Sequence, residues 1–351
     1  MSMAQKRINW IDWSKTLCMF LVVLGHCHIQ ESQLVITRVI YSFHIPLFFF
    51  LSGLLCSKSI SLSSLKKDLR FLILPYFVYG ILTILTSSCL SRNFEFGKQW
   101  SQFQELCMGY DPGIGAIWFL PALFICKQLY FFCKWMISKS KLLGCILVFS
   151  TPFPAYFITH YGINLPLFSD SSLFGLPFLL LGSFSLSIME RVKSVGFFFL
   201  SVPIIMLFAI NILLAINNGS VSLVTCTYGN SFIAYYFCAL TGITTIVGVS
   251  LLLEKFQLRF VTITSYGTIV TLGIHGIILL ILQYYIPILF GYYTPTINLP
   301  LAVLYSTVTY IICFVIIIWA DYSCPCMMGL KGYKVTRKCC NGRKGQNEDD
   351  L

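Results

Sequence analysis

Charge is what this 351-residue sequence has least of. Only 11% of its residues are charged and 13 are acidic, whereas soluble domains carry roughly a quarter charged residues. That scarcity excludes a water-soluble globular fold, and a sequence this apolar is not a disordered one. Histidine is scarce as well, with five in the chain. Cysteine is not, but its pattern is uninformative. The fifteen are scattered, and Cys18, Cys133, Cys145 and Cys238 sit inside apolar runs, where cysteine acts as a small hydrophobe. Cys324, Cys326, Cys339 and Cys340 flank the C-terminal tail in a spacing that fits no standard zinc finger, so no metal site is expected. No internal repeat is visible, which weighs against an inverted-repeat transporter.

What is present is hydrophobic sequence, 57% of the chain. A membrane-spanning helix needs about 20 mostly apolar residues. Ten segments qualify: 10–29, 39–57, 70–90, 114–136, 142–159, 172–189, 195–216, 231–253, 261–284 and 299–320. They fill the chain, so the expectation is an all-α polytopic membrane domain over 1–330 and a basic, disordered tail over 331–351. The net charge of +11 suggests nucleic acid, but its distribution does not. With the N-terminus inside, twenty Lys and Arg fall on one face, Arg38, Arg92 and Lys98 on the other, and Lys15 within the first segment. This is a positive-inside bias. It predicts both termini in the cytoplasm, an even helix count, the cell membrane as location, and the lipid bilayer rather than nucleic acid as partner. Asn218-Gly219-Ser220 forms a glycosylation sequon on the outer side.

Ionisable groups inside a bilayer are expensive and point to function. The stretch LVVLGHCH, residues 21–28, carries two of the five histidines. On a helix, 11 residues return Lys15 and His26 to within about 20° of one another, and Asp12 lies about 40° away. His28 falls about 200° from His26. One face of the first helix therefore joins Asp12 and Lys15 near one surface to His26 near the other, and His28 points elsewhere. Four other features complete the picture. His44 in YSFHIPLFFFLSG enters at the depth of His26, with Pro46 in the first turns of its helix and Ser52 and Gly53 deeper. Trp118 in GAIWFLPALF sits in the outer half. Thr264, Thr268, Thr271 and His275 form a polar stripe on one helical face. At the inner surface Lys66, Lys67 and Arg70 form a cluster suited either to solvent or to phosphate. The loop 91–113, with Phe94, Phe96, Trp100 and Phe103, reads as an interfacial belt or a lid.

INWIDWSKTLCMFLVVLGH, FHIPLFFFLSGLL, LKKDLRFLILPY, WFLPALF and SYGTIVTLGIHG, in this order over residues 8 to 276, resemble the membrane acyltransferase-3 family, its fucose 4-O-acetylase-like branch in particular. The resemblance implies about ten helices. It also implies transfer of an acyl group, commonly acetyl from acetyl-CoA, to a hydroxyl of a polysaccharide or lipid-linked glycan. No bound cofactor is implied. The family's first-helix histidine falls on His26, as general base or as acetyl acceptor, and its acid and base near the start of that helix fall on Asp12 and Lys15. Its pair of arginines spaced three apart reads here Lys67-x-x-Arg70, and lysine cannot grip phosphate in bidentate fashion. In the mechanism so implied, Lys15, Lys67 and Arg70 hold the donor phosphates. His44, His275 or a backbone N–H steadies the oxyanion, and Trp118 stacks on the sugar. The rival reading is a sugar or polyol transporter without acyl transfer.

Overall fold

The structure, a computed structural model, describes residues 7–328 apart from 57–60, 92–94, 110–111, 141, 144–145, 147–149, 164, 194 and 292–294. Lys58, Arg92, Lys141 and the tail 331–351, with Cys339 and Cys340, lie outside the described residues. Those described fold into twelve helices. They are α1 (Asn9–Gly25), α2 (Leu34–Leu54), α3 (Leu62–Leu90), α4 (Phe96–Met108), α5 (Phe119–Lys139) and α6 (Pro152–His160). Then come α7 (Ser169–Val192), α8 (Phe197–Asn218), α9 (Phe232–Leu252), α10 (Arg259–Tyr266), α11 (Thr268–Leu289) and α12 (Leu299–Ser323). Eight of these, α2, α3, α5, α7, α8, α9, α11 and α12, are long and apolar enough to cross a membrane.

The remaining two predicted spans differ. The first ends four residues early: α1 has 17 residues, roughly 25 Å at 1.5 Å per residue. It stops because the chain beyond Gly25 pairs elsewhere. Ile297 N–H donates to the His28 carbonyl at 2.8 Å, and Gln30 N–H to the Ile297 carbonyl at 3.0 Å, making a parallel bridge between Ile29 and Ile297. Of the predicted 142–159 span, α6 begins only at Pro152, and much of the rest lies outside the described residues.

α1 is the axis. It packs against α2, α9, α10, α11 and α12, burying Trp10, Cys18, Met19, Val22 and Val23. The closest crossing joins α2 to α7 and is made by two glycines. A Cβ on Gly53 would lie 1.9 Å from the Leu179 carbonyl oxygen, and one on Gly182 would lie 2.0 Å from that of Phe50. Only hydrogen fits at both points, so the backbones meet as small-residue membrane interfaces do. α8 is the opposite case. It leans on α9 and α2 and turns Phe198, Phe199, Ile205 and Leu213 outward, a surface for hydrocarbon.

Pro46 lies inside α2 and not in its first turns, because α2 begins at Leu34. The predicted ninth span is broken at Gly267, between α10 and α11. A Cβ there would strike the Ile317 side chain at 2.4 Å, so α12 presses on the break. α3 and α11 each contain a π turn, Leu69–Ile73 and Ile281–Tyr285. Within the predicted loop 91–113, Phe96, Trp100 and Phe103 recur at helical spacing on α4, which ends at Gly109 in the left-handed region (φ +66°). Trp100 stacks on Phe103, and Tyr76 of α3 donates to the Leu106 carbonyl at 2.6 Å. Phe94 lies outside the described residues.

Candidate active site

The end of α1 places His26. Its backbone N–H and its imidazole both reach the Val22 carbonyl, the ring Nδ1 at 2.8 Å. A carbonyl only accepts, so Nδ1 carries the proton and a neutral ring presents its lone pair at Nε2. The same device recurs twice. His44 Nδ1–H donates to Ile40 at 2.9 Å, and His275 Nδ1–H donates to the backbone carbonyl of Thr271 at 2.8 Å. Three imidazoles are thus held by their own helices in one tautomer, each with Nε2 unprotonated.

They converge. The His26 and His275 rings meet edge to face with centroids 5.0 Å apart. Tyr41 stands between His26 and His44, 6.1 Å from the first ring and 4.9 Å from the second. A cavity of about 360 Å³ is lined by Lys15, His26, Tyr41, His44, Trp118 and Thr268, with Val22, Ile45, Phe48, Leu72 and Phe119 among its apolar walls. Lys15 and His26 therefore do share a face, as their spacing predicts. Eleven residues of helix separate them, roughly 16 Å along α1. Ser222, Leu223 and Val224 close part of the cavity. That turn is pinned by the antiparallel pair Ser222–Thr227 and by Ser171 Oγ–H, which donates to the Leu223 carbonyl at 2.8 Å.

Other predicted residues are placed differently. Asp12 is buried but is not among the residues lining the cavity. It pairs with Arg7 at 2.5 Å and accepts from Ser265 Oγ–H at 2.6 Å. Arg7 also donates to the Thr262 carbonyl at 2.8 Å, tying the chain start to α10. Lys15 makes no salt bridge among the described residues. Lys67 is exposed, its ammonium over the Phe71 ring, and neither it nor half-buried Arg70 lines the cavity, although Leu72 does. His28 does not point away from His26. Helical spacing fails for it because α1 has already ended, and both residues line a separate hollow of about 140 Å³ with Gln283 and Tyr284.

Several residues escaped the sequence reading. Tyr41 is one, although its spacing of three from His44 is a same-face signal on α2. Asp68 and Lys127 are another case. They form an ion pair between α3 and α5 beside the π turn, and no local pattern announces a pair 59 positions apart. The sequon asparagine was read from its motif, but its burial was not. Asn218 is buried, its amide N–H donating to the Tyr228 carbonyl at 2.6 Å and its Oδ1 accepting from Ser231 N–H at 2.9 Å. Its nitrogen is committed to the fold.

Residues 8–318 match the profile described as an acyltransferase domain. The chain belongs to the acyltransferase 3 family. It is a multi-pass integral membrane protein and a transferase acting on acyl groups. No curated protein and no solved structure matches it. Among the described residues no group of three or more His, Cys, Asp or Glu could hold a metal ion.

Proposed function

We propose that this acyltransferase moves an acetyl group from acetyl-CoA to a hydroxyl of a cell-surface or exported carbohydrate, with His26 at the reacting centre. The observation that carries the reading is the cavity that runs from Lys15 to His26 along one face of α1. Its narrow apolar walls suit the extended arm of a thioester donor, and its ends differ in chemistry. A lone ammonium stands at one end. Imidazoles, a phenol and an indole stand at the other.

In this reading the CoA phosphates dock at the mouth near Lys15, with Lys67 and Arg70 contributing charge from the start of α3. The thioester then reaches His26. In direct transfer, Nε2 of His26 takes the hydroxyl proton as the acceptor oxygen bonds to the acyl carbon. The C–S bond breaks, and the departing thiolate recovers that proton. In a relay, Nε2 itself bonds to the acyl carbon as the C–S bond breaks and the thiolate leaves; in a second step the alcohol oxygen bonds to that carbon, the C–N bond breaks, and the alcohol's proton passes to the thiolate. Tyr41 faces the same space and its O–H can donate to the acyl oxygen, whereas His44, with its Nδ1–H held by Ile40, offers only an acceptor; Trp118 offers a stacking surface to a sugar. The basic residues put both termini in the cytoplasm of a cell membrane, which sets the donor inside and the acceptor outside.

The test is purified full-length protein in nanodiscs with labelled acetyl-CoA and a panel of surface glycans. Acceptor-dependent CoA release that vanishes in His26→Ala supports the reading. Release that survives this substitution overturns the role of His26, and glycan flux without acetylation favours transport. A stoichiometric burst of protein labelling without acceptor, absent in His26→Ala, assigns the relay.

A further inference from the structure

A second cavity, of about 210 Å³, lies on the other side of His26. Thr83 and Ser87 of α3, Ile117, and His275 and Gly276 of α11 line it. His26, Gly115, Ala116 and Leu272 line both cavities and form the partition between them. We propose that this second cavity is the acceptor subsite, and that it selects a neutral polyol carrying a hydroxyl next to the one that reacts. The inference rests on the acyl-transfer reading above and adds to it a location and a specificity.

Hydrogen-bond polarity is the reason. Thr83 Oγ1–H donates to the Tyr79 carbonyl at 2.9 Å and Ser87 Oγ–H to the Ile84 carbonyl at 3.0 Å. Both hydroxyl protons are thus committed, and their oxygens are left as acceptors. His275 is 1% exposed, its Nδ1–H is held by the Thr271 carbonyl, and its Nε2 has no partner among the described residues. A buried lone pair without a donor is costly, and a ligand O–H removes that cost. Thr83, Ser87 and His275 therefore offer acceptors, Thr86 adds a hydroxyl able to donate or accept, and none of the described lining residues carries a formal charge. An acyl chain or a phosphate has no donors to give there; a polyol has several. His26 and His275, edge to face at 5.0 Å, both line this cavity, close enough for one ligand to meet both rings. Neighbouring hydroxyls satisfy both, the one at His26 being the one acylated.

Room for such a group comes from Gly276. A Cβ on it would meet nothing within 4 Å, and the position lines both this cavity and the hollow shared with His28, so a larger side chain takes up space beside His26 without a clash at its Cβ. The full-length protein is assayed with acetyl-CoA and two probes, a cyclohexanediol with adjacent hydroxyls and cyclohexanol. The diol is expected to be acetylated better by a factor on the order of 10², and His275→Ala to erase that preference. Gly276→Leu is expected to raise the KM for the diol about tenfold or more while the Kd for acetyl-CoA stays unchanged. Thr83→Val, which keeps the shape, is expected to raise the same KM. Equal use of the two probes, an unmoved diol KM in Gly276→Leu, or parallel loss of donor affinity overturns the proposal. If neither probe is acetylated and the glycan panel gives no acceptor-dependent CoA release, the acyl-transfer reading fails on its own account. The cavity is then judged by binding of radiolabelled diol: saturable binding lost in Gly276→Leu upholds it, and equal or absent binding overturns it.

Discussion

His26, Asp12 and Asn218 show how far single positions can be read. That Lys15 and His26 share a face followed from helical spacing alone, and both line one cavity. The partner of Asp12 did not follow, because Arg7 precedes the helix and Ser265 is 253 positions away. Removing Arg7 leaves a buried carboxylate with fewer donors. Arg7→Ala is expected to cost about 2 kcal/mol, and the double variant with Asp12→Asn to cost less than the sum of the two single changes, read by thermal unfolding in detergent. His26→Ala is expected to lower the rate of acyl transfer by roughly 10² to 10⁴, measured as acceptor-dependent CoA release. Asn218 makes a contrary case to its motif. Expression in a glycosylating host is expected to give a protein whose gel mobility endoglycosidase does not alter.

Helices obey different limits, and glycine displays them most plainly. Gly273 and Gly276 lie one turn apart on α11. A Cβ on the first would strike the Tyr79 ring at 2.3 Å, and one on the second would meet nothing. Gly273→Ala is therefore expected to reduce the yield of folded protein and Gly276→Ala to leave it unchanged, as judged by size-exclusion profile. Gly53→Ala and Gly182→Ala, each driven against a backbone carbonyl, are expected to be more damaging than Gly273→Ala, because a ring can turn aside and a carbonyl cannot. The close approach at Gly53 was foreseeable from Ser52-Gly53 in an apolar run. The break at Gly267 was not, since it depends on where α12 packs, and hydrophobic patterning carries no signal of that. The early end of α1 was hidden for the same reason: Ile29 finds its partner at Ile297.

For the whole molecule, composition was enough to give the class. Eight of the ten predicted spans are helices able to cross a bilayer, because apolar length is a one-dimensional property. The convergence of α1, α2, α3 and α11 on one point is three-dimensional and had to be seen. Orientation can be tested on the intact protein. Cys107 is exposed on α4, which the charge distribution puts outside. A membrane-impermeant maleimide applied to intact cells is expected to label Cys107 and to spare a cysteine introduced near either terminus; the reverse pattern inverts the topology. A longer-range dependence lies in the π turn at Leu69–Ile73. Such a turn holds one residue more than the α-helix around it, and each residue turns the helix by about 100°. Thr83 and Ser87 lie further along α3, so their heading is set by that extra residue. Deleting one position there would swing the whole hydroxyl face out of phase with His275. The spacing between residue 69 and residue 87 is thus as much a part of the proposed acceptor pocket as the side chains that line it.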